Sequence, residues 1–199
     1  MKDAEVPIKF KIVRMKKQTI IAVLGLPGSG KSVVIDYLIK KYGWPKIYFG
    51  EVTFDEMRRL GLEVNEKNER RVREGLRKKF GELCYAKRVA KKILQLGSAP
   101  IILLESMYSW PEYLFLKKKF GEQFQTIAVY AAPEKRYARL KERKVRPLTP
   151  QEAQSRDYSQ IENLSQAGPI AMADQLIINE SSKRSLYSQI DQLIVEENN

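Results

Sequence analysis

Residues 25–32 read Gly-Leu-Pro-Gly-Ser-Gly-Lys-Ser, a match to the pattern G-x-x-x-x-G-K-[ST]. Its setting narrows what the chain can become. Before it, Thr19–Leu24 (TIIAVL) is an unbroken apolar, β-branched run, the signature of a strand buried on both faces of a parallel sheet. After it, Val33, Val34, Tyr37 and Leu38 recur at helical spacing. Strand, glycine turn and helix together predict a loop built for phosphate. Gly25, Gly28 and Gly30 permit backbone angles that turn N–H groups inward, with Pro27 and Ser29 between them. The helix that opens through Val33 adds its partial positive charge. Lys31 supplies a mobile cation for the β- and γ-phosphates, and the Ser32 hydroxyl can ligate Mg²⁺. ATP and Mg²⁺ are the expected ligands.

Further strands are predicted at 46–49, 100–104, 125–130 and 175–178, with helices between them. Helices are expected over 53–60, 66–80 and 83–96, from Ser109 onward, over 133–144, 150–166 and 183–195. Ser109 with Pro111, and Thr149 with Pro150 and Glu152, carry the start signals of capped helices. Strands alternating with helices predict an α/β fold of the P-loop type: three α/β/α layers around a five-stranded parallel sheet. The 199 residues fit one domain. Its core is expected at 18–50, 98–138 and 158–199, with a helical insert at 51–97 and a lid at 139–157. Residues 1–17 precede the core. Ile8, Phe10 and Ile12 alternate there with lysines, which predicts an added edge strand or a basic arm.

In open α/β sheets, ligands bind beyond the carboxyl ends of the strands. After the second strand, Glu51 offers a carboxylate to orient Mg²⁺ through water or to take a proton from an acceptor hydroxyl. Arg58 can hold an acceptor phosphate. After the third strand, Glu105 ends a buried run and needs a partner for its charge, which suits a metal carboxylate beside Ser32. Tyr108 is expected to line the acceptor pocket. Arg136, Arg139 and Arg143 share one helical face, and Arg146 and Arg156 follow. Guanidinium groups match the charge spread over a transferring phosphoryl group, so Arg139 and Arg143 join Lys31 and Glu51 as candidate catalytic residues. Arg146 and Arg156 are assigned to the acceptor. Pro147 and Pro150 give the segment between those helices the character of a closing lid. Asn179, after the fifth strand, is placed near the adenine.

Composition removes other chemistries. With no histidine, His-based triads and His-metal sites are excluded. Cys84 is the only cysteine, and no stretch approaches the roughly 18–20 apolar residues of a membrane helix. A reducing cytoplasm is the expected compartment. The net charge of +12 is uneven: +17 over residues 1–146 and −5 over 147–199. A basic front half suits nucleotide phosphates or nucleic acid, although the sequence has no nucleic-acid signature beyond charge.

The phosphate loop, Arg139 with Arg143, the Thr-Pro-Gln-Glu-Ala stretch from Thr149, Arg156, and the run from Ala173 through Asp174 to Asn179 stand in an order that resembles dephospho-coenzyme A kinases. More broadly the chain resembles adenylate-kinase-like nucleoside monophosphate kinases. It is most similar to a poorly characterised, mainly archaeal group that shows a comparable GPIAMAD run, here residues 168–174. The resemblance implies ATP as donor, an acceptor-binding helical insert, adenine near Asn179 and lid arginines on the phosphates. The aspartate pair that dephospho-coenzyme A kinases carry after strand two is replaced by Gly50 and Glu51. Related proteins often have Asp-Gly where this chain has Glu105 and Ser106. The expected activity is γ-phosphoryl transfer from ATP·Mg²⁺ to a nucleotide-like acceptor, a nucleoside monophosphate or a dephospho-coenzyme A-like hydroxyl. The protein is expected to work as a monomer or homodimer away from membranes. The alternatives are a nucleic-acid-linked NTPase or polynucleotide kinase, and a non-catalytic ATP-binding regulator.

Overall fold

The computed structural model describes residues 18–144 and 147–194. The expected edge strand before residue 18 and the acceptor role given to Arg146 lie outside those residues.

The apolar run β1 (Thr19–Leu24) is buried at all six positions. It pairs in parallel with β3 (Ile101–Glu105) on one side and β4 (Phe124–Tyr130) on the other. β2 (Lys46–Tyr48) extends the sheet beyond β3, and β5 (Gln175–Ile178) extends it beyond β4. The order β2-β3-β1-β4-β5 puts the phosphate loop at the centre, where the chain's direction of travel across the sheet reverses.

Side chains alternate along each strand, so the two faces carry separate cores. Ile21, Val23, Leu103, Ile127, Val129 and Ile177 pack under α1 (Lys31–Tyr42) and α9 (Lys183–Leu193). Ile20, Ala22, Leu24, Ile102, Leu104 and Phe124 pack under α4 (Cys84–Gln95) and α5 (Trp110–Phe120). With α2 (Glu51–Arg59) and α3 (Glu66–Phe80), which join that second core, this is the expected three-layer α/β/α arrangement.

Local signals explain most helix starts. Ser109 and Thr149 each accept from the backbone N–H three residues on, and Glu112 and Glu152 reach back to complete capping boxes. α6 (Pro133–Lys141) stops three residues before its expected end, with Glu142 at its C-cap. α7 (Pro150–Leu164) ends at Ser165 in left-handed backbone, and a separate short helix, α8 (Ala167–Ala171), follows. The sequence reading carried the first of these to 166 and expected no helix at α8. Within the GPIAMAD run, a Cβ on Gly168 would sit 2.8 Å from the Trp110 ring, so only glycine lets α8 lie this close to α5. Asp174 ends the run by accepting from the Thr126 N–H at 2.8 Å and the Thr126 hydroxyl at 2.7 Å. The run is therefore scaffold that ties β5 to the start of β4.

Candidate active site

The carbonyls of the loop after β1 are each held by a hydrogen bond. Gln166 Nε2 donates to the Gly25 carbonyl at 3.0 Å, and Lys31 Nζ to that of Leu26 at 3.0 Å. Arg136 donates to Pro27 at 3.1 Å, Arg139 to Gly28 at 3.4 Å, and Asn179 Nδ2 to Ser29 at 2.8 Å. The Val34 N–H reaches Gly30 at 3.2 Å. Six consecutive acceptors are thus taken by groups from α1, α6, the α7–α8 junction and the end of β5. The Ser29 N–H turns back to the Leu26 carbonyl at 3.2 Å; with these carbonyls occupied, the other loop amides can converge on an anion. The bracing is also why the glycines are needed. Gly28 and Gly30 hold φ of 78° and 103°. A Cβ on Gly28 would meet the Arg136 carbonyl at 2.6 Å, and one on Gly30 the Asn179 amide at 2.2 Å.

The helix behind the loop starts without a side-chain cap and without an acidic residue in its first turn. By contrast Asn65, Ser109, Thr149 and Ser182 cap α3, α5, α7 and α9. The opening N–H groups of a helix have no intrahelical acceptor. At α1 those groups, Val33 included, begin where the loop amides end. Ser29 Oγ is buried and has no hydrogen-bond partner among the described residues. This donor set fits a polyphosphate.

Burial holds the Lys31 ammonium well below its ordinary pKa of 10.5, at about 8, and the positive Arg156 pushes in the same direction. Arg136 and Arg143 add to this, and Glu105 opposes it. Arg143 and Arg156 are solvent-exposed, so their guanidinium groups are accessible to a ligand. Arg136 is different. It is 3% exposed and forms a forked ion pair with the equally buried Asp157, at 2.7 and 2.9 Å. Its Nε donates to the Ala131 carbonyl at 3.0 Å. The shared face expected for Arg136, Arg139 and Arg143 therefore divides: Arg136 points inward as scaffold. Arg139 donates to Gly28 and, at 2.7 Å, to the Asn179 carbonyl, while Arg143 faces solvent. The Asn179 amide group is likewise engaged with the loop.

On the other side of α1, Ser32 Oγ donates to Glu105 Oε1 at 3.0 Å, and Lys46 Nζ pairs with Oε2 at 2.8 Å. Glu105 is the last residue of β3 and its charge is partnered, as its place at the end of a buried run requires. A hydroxyl and a carboxylate in contact beside the phosphate hollow suit a hard divalent cation. Tyr48 and Tyr108 are half-buried next to Glu105. Burial, then the neighbouring Tyr108 and Glu105, raises the Tyr48 phenol's pKa, so it stays protonated. Ser106 holds a left-handed φ of 66°, a strained conformation for serine, beside that phenol. Glu51 lies in the first turn of α2 rather than in a loop. Its carboxylate pairs with Arg58, which also contacts Asp55 at 2.6 Å. The structure thus brings Lys31, Ser32, Glu105, Arg143 and Arg156 towards one hollow, and joins Glu51 to Arg58 on the surface of α2. The sequence reading missed Lys46, Tyr48, Asp157 and Gln166. Lys46 reads only as the polar start of a strand, and the other three carry no local signal.

Comparison with known proteins gives the chain's family and fold. A UPF0200 protein of Thermococcus gammatolerans is 30% identical over 179 residues, covering 88% of this chain and 93% of its own. One of Aeropyrum pernix is 36% identical over 168 residues, covering 84% and 87%. The chain belongs to the UPF0200 family. A profile of the AAA domain also matches residues 21–162 of this UPF0200 chain. Among solved structures, TT1252 from Thermus thermophilus superimposes with a TM-score of 0.59 at 23% identity, over 86% of this chain and 94% of its own. A shikimate kinase from Bacteroides thetaiotaomicron gives 0.58 at 13% identity, over 87% and 95%. A gluconokinase from Sinorhizobium meliloti gives 0.54 at 12%, over 89% and 90%. These likenesses establish that the UPF0200 chain has a P-loop kinase-like fold. Among the described residues, no helix is long and apolar enough to cross a membrane, and no cluster of three or more His, Cys, Asp or Glu side chains is arranged for a metal.

Proposed function

We propose that this protein is a phosphotransferase that moves the γ-phosphoryl group of ATP, as its Mg²⁺ complex, to a small nucleotide-like acceptor. The acceptor is a nucleoside monophosphate or a dephospho-coenzyme A-like hydroxyl compound. The observation that carries this reading is the run of six loop carbonyls each held by a hydrogen bond, beside the uncapped start of α1, which supports a loop set to receive an anion. A glycine turn without a ligand would not need side chains from so many elements to hold it.

In this reading the loop amides bind the β-phosphate region and Lys31 leaves the Leu26 carbonyl for the β- and γ-phosphates. Arg143 and Arg156 meet the charge that spreads over the transferring group. Arg139 and Asn179 act by bracing the loop. Ser32 and Glu105 would hold Mg²⁺, which when bound supplies charge neutralisation on the phosphate oxygens. Tyr48, Tyr108 and Glu105 form the acceptor side. An acceptor oxygen forms the new bond to the γ-phosphorus as the bond to the β,γ-bridging oxygen breaks, and ADP leaves with that electron pair. A hydroxyl acceptor releases its proton, whereas a phosphate acceptor has none to lose. Two fold neighbours, a gluconokinase and a shikimate kinase, agree with this reaction class. The test is a panel of nucleoside monophosphates and dephospho-coenzyme A with ATP·Mg²⁺, read as ADP formation. At least one acceptor should give turnover that Lys31→Ala abolishes. ATP binding without turnover on any of them would favour a regulator instead.

A further inference from the structure

Glu105 carries two partners, and they pull it in different directions. On Oε1 it has Ser32, the hydroxyl that belongs to the phosphate loop; on Oε2 it has the Lys46 ammonium at 2.8 Å. Glu105 is well enclosed, with its side chain 13% exposed, whereas Lys46 is 35% exposed and can leave. The two residues sit on adjacent strands, two register positions apart, since Lys46 lies opposite Leu103 and Tyr48 opposite Glu105. The ammonium therefore reaches along the sheet to the carboxylate from β2, the strand that leads directly into α2. A carboxylate at the end of a buried strand is costly without a compensating charge, and here Lys46 supplies one.

We propose that Lys46 is an internal cation that competes with the divalent metal for Glu105. It keeps the carboxylate neutralised and aimed at Ser32 in the free protein, and it weakens metal binding until nucleotide phosphates arrive to tip the balance. Lys46 acts through Glu105 and is a positioning residue, not a catalytic one. The inference rests on Glu105 and Ser32 being the metal side of the site. It makes a prediction of unusual sign. An ordinary supporting side chain, when removed, leaves its site looser and the metal weaker. Removing Lys46 takes away a positive charge a few ångströms from a dication, so the metal should bind more tightly.

The probe is Mn²⁺, titrated into the full-length protein with ADP present and read by electron paramagnetic resonance of free Mn²⁺. Lys46→Met should tighten Mn²⁺ by about tenfold, the scale expected for one charge removed near a divalent ion at a protein surface. Lys46→Arg keeps the charge and should stay within about twofold of wild type. Glu105→Gln should weaken Mn²⁺ by about tenfold or more. Thermal unfolding of each variant confirms that it is folded. Unchanged or weakened Mn²⁺ affinity in folded Lys46→Met overturns the proposal. If ADP binds but Mn²⁺ does not bind wild type or Lys46→Met, the proposal is overturned while the nucleotide site survives. If ADP itself does not bind, the phosphotransferase reading fails with it.

Discussion

The pair between Arg136 and Asp157 offers the sharpest test of how the loop is held. Consider Asp157→Asn. Both residues are 3% exposed, and the guanidinium meets both carboxylate oxygens. The substitution keeps the shape but removes the charge, and it turns an NH₂ group towards one guanidinium nitrogen. It also deprives the Tyr137 hydroxyl of its acceptor at 3.0 Å. Breaking a buried pair by removing one partner costs about 3–5 kcal/mol, because the other charge stays buried alone. The carbonyls of Ala131 and Pro27 still accept from Arg136, so the lower end applies, about 3 kcal/mol. For a chain this long that is a fall of about 6–12 °C in the thermal midpoint, measurable by circular dichroism alongside urea unfolding. The double variant Arg136→Met/Asp157→Leu removes both charges and should recover most of the lost stability. It also removes the donor to the Pro27 carbonyl, so its ATP affinity should remain at least about tenfold weak, as expected for a lost charged hydrogen bond. Asp157→Asn within about 1 kcal/mol of wild type, or a double variant that binds ATP normally, would refute this reasoning.

Three further outcomes follow from the site. Lys31 has a lowered pKa of about 8 in the free protein, so it is charged below that value and loses its proton above it. The folded state then binds fewer protons than the unfolded chain between about 8 and 10.5, which raises folding stability with pH over that window. ATP needs the charged form, so its dissociation constant should climb by up to about tenfold per pH unit above 8, and Lys31→Met should flatten that profile in calorimetric titrations. Gly30→Ala should remove ATP binding while the protein stays folded, because the new Cβ would collide with the Asn179 amide and a left-handed φ of 103° is strained for alanine; wild-type affinity would contradict the bracing. Glu51→Gln separates the acceptor classes in steady-state assays. A loss smaller than about tenfold is expected if the acceptor is a phosphate, and a loss of about 10²–10⁴ if Glu51 serves as base for a hydroxyl.

Much of the fold is legible in the sequence because its signals are local. The buried run at Thr19–Leu24, the capping boxes at Ser109 and Thr149, and the glycines of the loop each describe their own surroundings. The Ser32–Glu105 contact was also foreseeable, since a carboxylate ending a buried strand needs a partner and the loop's serine starts the neighbouring helix. What the sequence hides is pairing at a distance. Arg136 looks like one member of a basic stripe, and nothing near it reveals that Asp157, on the next helix, will draw it inward. Gln166 lies 141 positions from the Gly25 carbonyl that it holds. Helix ends were misread where boundaries depend on packing: Glu51 falls inside α2, and the short α8 forms at Gly168 and Pro169, which locally read as breakers.

The account stands on a loop whose amides grip a triphosphate. Isothermal titration of the full-length protein with ATP and Mg²⁺ tests this most directly. It should show saturable one-to-one binding with a dissociation constant between about 1 μM and 1 mM, the range usual for enzyme substrates, and Lys31→Ala should weaken it severely. No heat of binding at millimolar ATP, or equal binding by wild type and Lys31→Ala, would contradict it.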